Sequence, residues 1–346
     1  MVTWLMPAES EPHERTWMAW PSGGYTLGDT RASAEEAWTA WAAVANAVAE
    51  HEPLTMLATP ATLDEARRRL AASVTLLPCA LDDAWYRDTG PTFVLDADGR
   101  LGAVNWTFNG WGAQDWASWE ADAEAGGAAT TATTAVRIDS QLVNEGGGIH
   151  TDGAGTFLVT TTVQLDPGRN PGWTAPGVEA ELARTVGATK VIWLPRGLTR
   201  DSETYGTRGH VDLLAAFSAP GRVLVHDQRD PSHPDHAISR DLIARLSAET
   251  DASGRALEVT ALPAPATLRD RDGYVDYSYV NHYVLNGAVV AGVFDDPNDA
   301  AALAVLADAY PGREVVAVDA RPLFARGGGV HCITQQQPRS RVEEKP

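Results

Sequence analysis

The apolar positions change period along the chain in a fixed order. Runs at 92–95 and 101–106 flank the turn Asp96-Ala97-Asp98-Gly99, the pattern of a β-hairpin. A helix over 116–124 and a strand over 135–138 follow. The same plan then recurs. A hairpin over 148–161 turns at Gly153-Ala154-Gly155 and leads to a helix over 177–186 and a strand over 190–194. A hairpin over 210–225 turns at Pro220-Gly221 and leads to a helix over 235–248 and a strand over 257–262. A hairpin over 279–294 turns at Asn286-Gly287 and leads to a helix over 297–310 and a strand over 313–318. Four ββαβ units are therefore predicted.

The two ends hold the parts of a fifth. Residues 16–20 read as a strand stopped by Pro21, and Trp38, Trp41, Ala45 and Val48 recur at helical spacing over 33–50. Ser33 and Glu36 stand at capping-box spacing, as do Thr62 and Glu65 before a helix reaching residue 70. Strands follow at 54–58 and 74–77. If the β-branched run 330–334 pairs with 16–20, five units close into a ring with no open sheet edge. Two α/β domains split near residue 200, or one doubly wound sheet, are the alternatives, and the hairpins count against the second. Gly146-Gly147-Gly148-Ile149-His150 and Gly327-Gly328-Gly329-Val330-His331 match at four of five positions, and both are expected to open a hairpin. Around a common axis, Asp88, Glu145, His210 and Cys332 occupy related positions at or just before the first strand of a unit, and would converge.

Composition adds little to the fold and more to the partner. The chain of 346 residues, 44% hydrophobic and 21% charged, is ordinary for a soluble globular protein. It is read as a single catalytic domain over 1–346 with a flexible C-terminal tail at 339–346. A formal net charge of −19 argues against nucleic acid or an anionic membrane and favours a small cation. No apolar run spans a membrane and no signal peptide is visible, so a cytoplasmic location is expected. The two cysteines, Cys79 and Cys332, do not make a disulfide framework. Cys79, after Leu76-Leu77-Pro78, reads as a small apolar residue at a strand end.

Cys332 stands behind three glycines, where backbone or substrate can come close. A thiol of ordinary pKa, about 8.5, is mostly protonated at neutral pH and needs a base or a cation to become a nucleophile. Arg87-Asp88-Thr89-Gly90-Pro91, Asn144-Glu145-Gly146-Gly147-Gly148 and Gly209-His210-Val211-Asp212 could supply one. His331 adjoins Cys332, but neighbours in an extended segment face opposite ways, so His210 is the expected base. His210 and Asp212 lack the companion spacing of a metal site. The group His226, Asp227, Asp230, His233, Asp235 and His236 reads as a solvated, helix-capping loop, and Asp295-Asp296-Pro297 as a helix start. Of twelve tryptophans, Trp85 and Trp111 are placed near substrate. Arg87 is expected to order its loop.

The ordered motifs Met6-Pro7-Ala8-Glu9, Thr16-Trp17-Met18-Ala19-Trp20-Pro21, Trp85-Tyr86-Arg87-Asp88-Thr89-Gly90-Pro91, Asn105-Trp106-Thr107-Phe108-Asn109-Gly110-Trp111-Gly112, Glu145-Gly146-Gly147, Asn170-Pro171, Gly209-His210-Val211-Asp212, Ser278-Tyr279-Val280-Asn281 and His331-Cys332-Ile333-Thr334-Gln335-Gln336 run through nearly the whole chain. In these the chain resembles the agmatine deiminase family, a branch of the Porphyromonas-type peptidyl-arginine deiminases. The resemblance implies a five-bladed α/β propeller of pseudo-fivefold symmetry, closed by pairing of the N- and C-terminal segments. It implies a hydrolase without cofactor or metal that converts agmatine to N-carbamoylputrescine and ammonia, a step toward putrescine, and it suggests a homodimer. The family's nucleophile falls on Cys332, its general base on His210, its guanidinium-binding carboxylates on Asp88, Glu145 and Asp212, and its substrate-packing tryptophan on Trp85. The chain departs from the family pattern at Gly206, Arg208, Leu213, Arg326 and Gly329. Arg208 would suit a guanidino compound carrying its own carboxylate. Another guanidino substrate, amidino transfer to an amine and a catalytically silent guanidine-binding protein are therefore the rival functions.

Overall fold

The computed structural model describes residues 3–203 and 205–341. Five mixed sheets share one construction: an antiparallel pair, then a helix that carries the chain back to a third strand parallel to the second. Thr92–Asp96, Leu101–Thr107 and Val136–Val143 form one, with Trp4–Leu5 added at its edge. Ile149–Thr151, Thr156–Thr160 and Lys190–Leu194 form the next. Ala215–Ala219, Arg222–Asp227 and Glu258–Pro263 follow, then Tyr283–Leu285, Ala288–Val293 and Glu314–Asp319. In the fifth, Gln335–Pro338 lies antiparallel to His13–Ala19, with Gln335 opposite Trp17, and Leu54–Ala58 and Thr75–Pro78 continue the sheet in parallel. The two ends of the chain thus share a sheet, although through Gln335–Pro338 and not the run 330–334.

The middle strands are apolar on both faces because a helix covers one side and the core fills the other. Every residue of Leu54–Ala58 is buried, as are the first five of Ala288–Val293. The helix Arg31–Ala49 turns Ala37, Trp41, Ala45 and Val48 inward. It begins two residues earlier than its sequence suggests. Thr30 is the cap and accepts from the Ser33 backbone N–H at 3.1 Å, so Ser33 and Glu36 form no capping box. Thr174 caps Ala175–Val186 in the same way, and Gly187 ends it in the left-handed region at φ 77°.

Other differences fall where side chains have work outside the ladder. The helix expected over 116–124 is Asp122–Ala132. Trp116 instead stacks on Trp111, with ring centroids 5.4 Å apart, and the Asp122 carboxylate accepts from the Asp82 and Asp83 N–H groups. The strand expected over 330–334 begins at Gln335, because His331–Ile333 coils into a 3₁₀ turn. Gly146–Gly148 and Val211–Leu213 are 3₁₀ turns too, ahead of strands Ile149–Thr151 and Ala215–Ala219. The helix expected from residue 297 starts at Asp299. Of the tail at 339–346, Arg339 and Arg341 donate their backbone N–H groups to Pro12 and Gly99, and residues 342–346 lie outside the described residues. Among the described residues no helix is long and apolar enough to cross a membrane.

The larger core cluster runs from Trp17, Trp20 and Trp41 to Val330 and Ile333, and a smaller one gathers Trp4, Met6, Phe157, Val178 and Leu182. Trp41 is fully buried and meets Trp85 edge-on at 5.4 Å, which links this core to the wall of the cavity described next. Trp41→Ala is expected to cost about 3–5 kcal/mol, read from the urea unfolding midpoint.

Candidate active site

The four residues singled out by the repeat each sit just before a unit's first strand. Asp88 lies in the short helix Tyr86–Thr89, Glu145 precedes Gly146–Gly148, His210 precedes Val211–Leu213, and Cys332 lies in His331–Ile333. The remaining unit contributes Asn281 from the turn before Tyr283–Leu285. Sequence reasoning quoted Asn281 in a motif without giving it a role, although its place in the fourth repeat was the available signal. Its Nδ2 lies 3.3 Å from the Cys332 Sγ, and its Oδ1 accepts from the His331 backbone N–H at 3.0 Å. The Gly329 N–H also reaches the sulfur, at 3.4 Å.

Gly147 shows how tightly these parts converge. A Cβ on this residue would stand 2.6 Å from His210 Nδ1, 3.0 Å from Asp88 Oδ1 and 3.1 Å from Asp212 Oδ2, so only glycine leaves the three groups room. Asp212 Oδ2 is in turn 3.6 Å from the sulfur. Asp88 is oriented by the Gly147 N–H at 3.1 Å and by Trp111 Nε1 at 2.9 Å. Trp111 adopts φ 54° to make that bond, an uncommon conformation for a bulky residue. His210 Nε2 pairs with Glu145 Oε2 at 3.1 Å. Its Nδ1 and Asp212 Oδ1 are buried with no hydrogen-bond partner among the described residues.

Arg169, absent from the sequence reading, explains how Glu145 stays charged while fully buried. Its Nε lies 3.0 Å from both Glu145 oxygens, and its other nitrogens reach Asp166 and the Thr207 carbonyl. Burial alone would raise the Glu145 pKa, but Arg169 and then His210 outweigh it and hold it at about 2. Burial would lower the His210 pKa, and Asp88 and Glu145 instead lift it to about 9. Asp88 has only His210, 3.8 Å away, and burial outweighs it. Burial, with Glu145 and Asp212 adding to it, raises its carboxyl to about 6. Cys332 is pushed well above the usual thiol range by burial and by Asp212 and Asp88. The unliganded site therefore pairs a neutral thiol with a protonated imidazole at neutral pH.

A narrow cavity opens above the thiol, lined by Trp85, Asp88, Trp111, Trp116, Tyr205 and Arg326 among others. It offers the centre of a water molecule only about 20 Å³. Trp85 and Trp111, expected near substrate, both line this cavity with Cys332. Arg208 does not: both of its contacts, at 3.0 and 2.7 Å, go to Asp166, and it is not part of this lining. Arg326 lines the cavity, but its guanidinium is taken by the Thr26, Pro322 and Ser33 carbonyls and by Glu36. Arg87 orders the C-terminal loop through the His331 carbonyl and Gln336.

His331 faces away from the thiol for a reason other than an extended backbone. Its two ring nitrogens meet Asp212 at 2.8 Å and Glu9 at 2.9 Å. In the loop expected to be solvated, His226 and His233 are buried and engaged by Ser278 and the Val275 carbonyl, while His236 faces the Gln228 carbonyl.

Fold and site together define an α/β protein that presents buried carboxylates, an imidazole and a thiol around one small pocket. The sequence profile of the Porphyromonas-type peptidyl-arginine deiminases matches residues 5–338, and the chain belongs to that family. Within it the similarity points further. A Streptomyces coelicolor relative is 54% identical over 340 residues, covering 98% of this chain and all of its own. The agmatine deiminase of Pseudomonas fluorescens is 38% identical, covering 96% of this chain and 95% of the relative. The solved agmatine deiminase of Enterococcus faecalis superposes with a TM-score of 0.91 at 32% identity, over 98% of this chain and 97% of that one.

Two outcomes follow from the site's electrostatics. Alkylation of Cys332 by iodoacetamide, followed by peptide mass spectrometry, is expected to be slow at pH 7 and to climb about tenfold per pH unit toward pH 9, as the thiolate fraction does below its pKa. Arg169→Met strands the Glu145 charge and is expected to cost about 3–5 kcal/mol in urea unfolding.

Proposed function

We propose that the chain hydrolyses agmatine to N-carbamoylputrescine and ammonia, with Cys332 as nucleophile and His210 as acid and base. The observation that carries this reading is the meeting of Asp88, Asp212 and His210 around Gly147, with Asp212 Oδ2 3.6 Å from the Cys332 sulfur. Supporting it, five units each contribute from the same position. We read them as the blades of a five-bladed α/β propeller that makes 1–346 one catalytic domain.

A guanidinium is planar and cationic, so carboxylates on its edges fix it through charge-assisted hydrogen bonds. Asp88 and Asp212 are the pair for this. The cation relieves the repulsion that raises the Cys332 and Asp88 pKa values, and the thiol releases its proton to solvent as substrate binds. The thiolate then attacks the guanidinium carbon. His210, already protonated, gives its proton to the departing nitrogen, which leaves as ammonia, and a thiouronium remains on Cys332. Neutral His210 next takes a proton from water, the resulting hydroxide adds to the carbon, and the C–S bond breaks with its electron pair and the hydroxyl proton passing to the sulfur, which releases the ureido product and restores the thiol. Glu145 holds the imidazolium in place throughout. Trp85, Trp111, Trp116 and Tyr205 pack the alkyl chain and offer their faces to the terminal ammonium. With so little free space above the thiol, this lining shifts to admit the chain.

Agmatine is favoured over a guanidino acid because Arg208 leans on Asp166 outside the cavity lining, and the guanidinium of Arg326 is taken by carbonyls and Glu36. The test is a ureido-product assay across agmatine, arginine and guanidino acids. Agmatine is expected to give by far the largest kcat/KM, and a guanidino acid turned over faster would reject the assignment. Cys332→Ser is expected to bind agmatine and release no ammonia, and His210→Asn to lose about 10²- to 10⁴-fold in kcat. The profile of kcat/KM is expected to fall below about pH 6, where Asp88 takes up a proton, and above about pH 9, where His210 gives one up.

A further inference from the structure

We propose that Glu9 and His331 are positioning residues for this reaction: together they hold Asp212 as an anion, with its Oδ2 fixed beside the Cys332 sulfur. The inference rests on the deiminase reading above and adds to it two residues that line neither the thiol nor its cavity.

Glu9 comes from the N-terminal segment, yet it is buried behind the site. One of its oxygens accepts from the Val284 backbone N–H at 2.8 Å and the other faces His331 Nε2 at 2.9 Å. His331 Nδ1 faces Asp212 Oδ2 at 2.8 Å. Both ring nitrogens thus look at carboxylate oxygens, and only the doubly protonated imidazolium can donate to both. The ring is fixed from behind as well. The His331 backbone N–H is taken by Asn281 Oδ1, and its carbonyl accepts from Arg87 Nε at 3.2 Å. Asp212 Oδ1 meanwhile has no partner among the described residues. A buried carboxylate whose Oδ2 is held by His331 and lies 3.6 Å from the sulfur, with a lone pair still to give, is set to receive a cation in front of the thiol.

Other charged groups face this pair, and their balance decides its protonation. Arg87 lies 3.7 Å from Glu9 and opposes a charge on His331, as does burial, but Glu9 and Asp212 outweigh both and raise the His331 pKa. The His150 ring, 6.3 Å from that of His331, is held neutral by burial with its pKa lowered to about 3, and burial lowers His282 to about 4. On the side of the site, Asp212 also faces His210, Asp88 and Cys332. Burial would raise the Asp212 pKa, and His331 is the chief group that lowers it. Remove the Glu9 charge and His331 loses its proton more readily, so the Asp212 pKa rises. Asp212 must be ionised to hold substrate, and once left to burial as Asp88 is, its titration joins that of Asp88, so the acid limb of kcat/KM steepens and moves to higher pH.

The first arm of the test uses the wild-type protein alone. ¹⁵N spectra of the labelled enzyme should show both His331 ring nitrogens protonated at pH 7, and a single protonated nitrogen overturns the proposal. The second arm is kinetic. Glu9→Gln is expected to lower kcat/KM for agmatine at pH 7 by about 10–100-fold, the scale of carboxylates that orient other catalytic groups. Most of the loss should appear in KM, and the acid limb should move upward. Glu9→Gln combined with His331→Asn should be little worse than His331→Asn alone, because the two act through one carboxylate. An unchanged KM and acid limb in Glu9→Gln, or fully additive losses, overturn the proposal. Wild-type protein that turns over no guanidine, while His331 is doubly protonated, removes the deiminase reading and with it the pair's catalytic purpose. That failure is distinct from a neutral His331 in an active enzyme.

Discussion

Glu9, Asp88, Glu145 and Asp212 are all buried around one thiol, and each would by itself prefer to be protonated there. Three of them are given a cationic neighbour by the chain: Arg169 for Glu145, His331 for Asp212, and both His331 and Arg87 for Glu9. Asp88 is left with Trp111, a backbone N–H and a distant His210 nitrogen at 3.8 Å. Asp88 is therefore the acid with the least positive charge beside it, and the charge that is lacking belongs in the cavity it lines with Cys332. A flat cation supplies it, which makes binding and thiol ionisation a single electrostatic event.

Such a concentration of like charge holds only if its members cannot move apart. The repeat provides that rigidity. Each unit delivers a polar residue from the short turn before its first strand, and those turns are followed by strands whose buried residues lock them in place, apolar in four units and hydrogen-bonded glutamines in Gln335–Pro338. Gly147 marks the limit of the approach, since a single methyl group there would touch three of the participants. The strained backbone of Trp111 belongs to the same economy of space, aiming an indole N–H at Asp88 from a conformation few bulky residues adopt.

The order of elements could be read from the chain because strand alternation, helical spacing and glycine turns recur in one sequence of events, and these are local signals. The turns before the strands could not. Val330 to Thr334 looks like a strand by its β-branched residues, but His331 coils back to reach Asp212 and Glu9, contacts made with residues far away in sequence. Trp116 fits a helix until its ring finds Trp111. The candidate residues Cys332, His210, Asp88, Glu145 and Asp212 were visible because glycine and ionisable groups adjoin in short motifs. Arg169 carried no such mark, standing as an ordinary arginine before Asn170-Pro171. Arg208 was conspicuous as an added charge near a motif, and only coordinates reveal that Asp166 absorbs it.

The sheet shared by the two ends has a consequence for how the protein comes to be. Trp17 and Gln337 are joined by a side-chain hydrogen bond across 320 residues of sequence, and the strand His13–Ala19 finds its antiparallel neighbour only in Gln335–Pro338. During synthesis from the N-terminus, that early strand waits with one edge unmatched while the rest of the polypeptide emerges. The segment that finally covers it also brings in the sulfur. Ring closure and the arrival of the nucleophile are thus the same late step, and a half-made chain carries the acids and the imidazole without the means to attack anything.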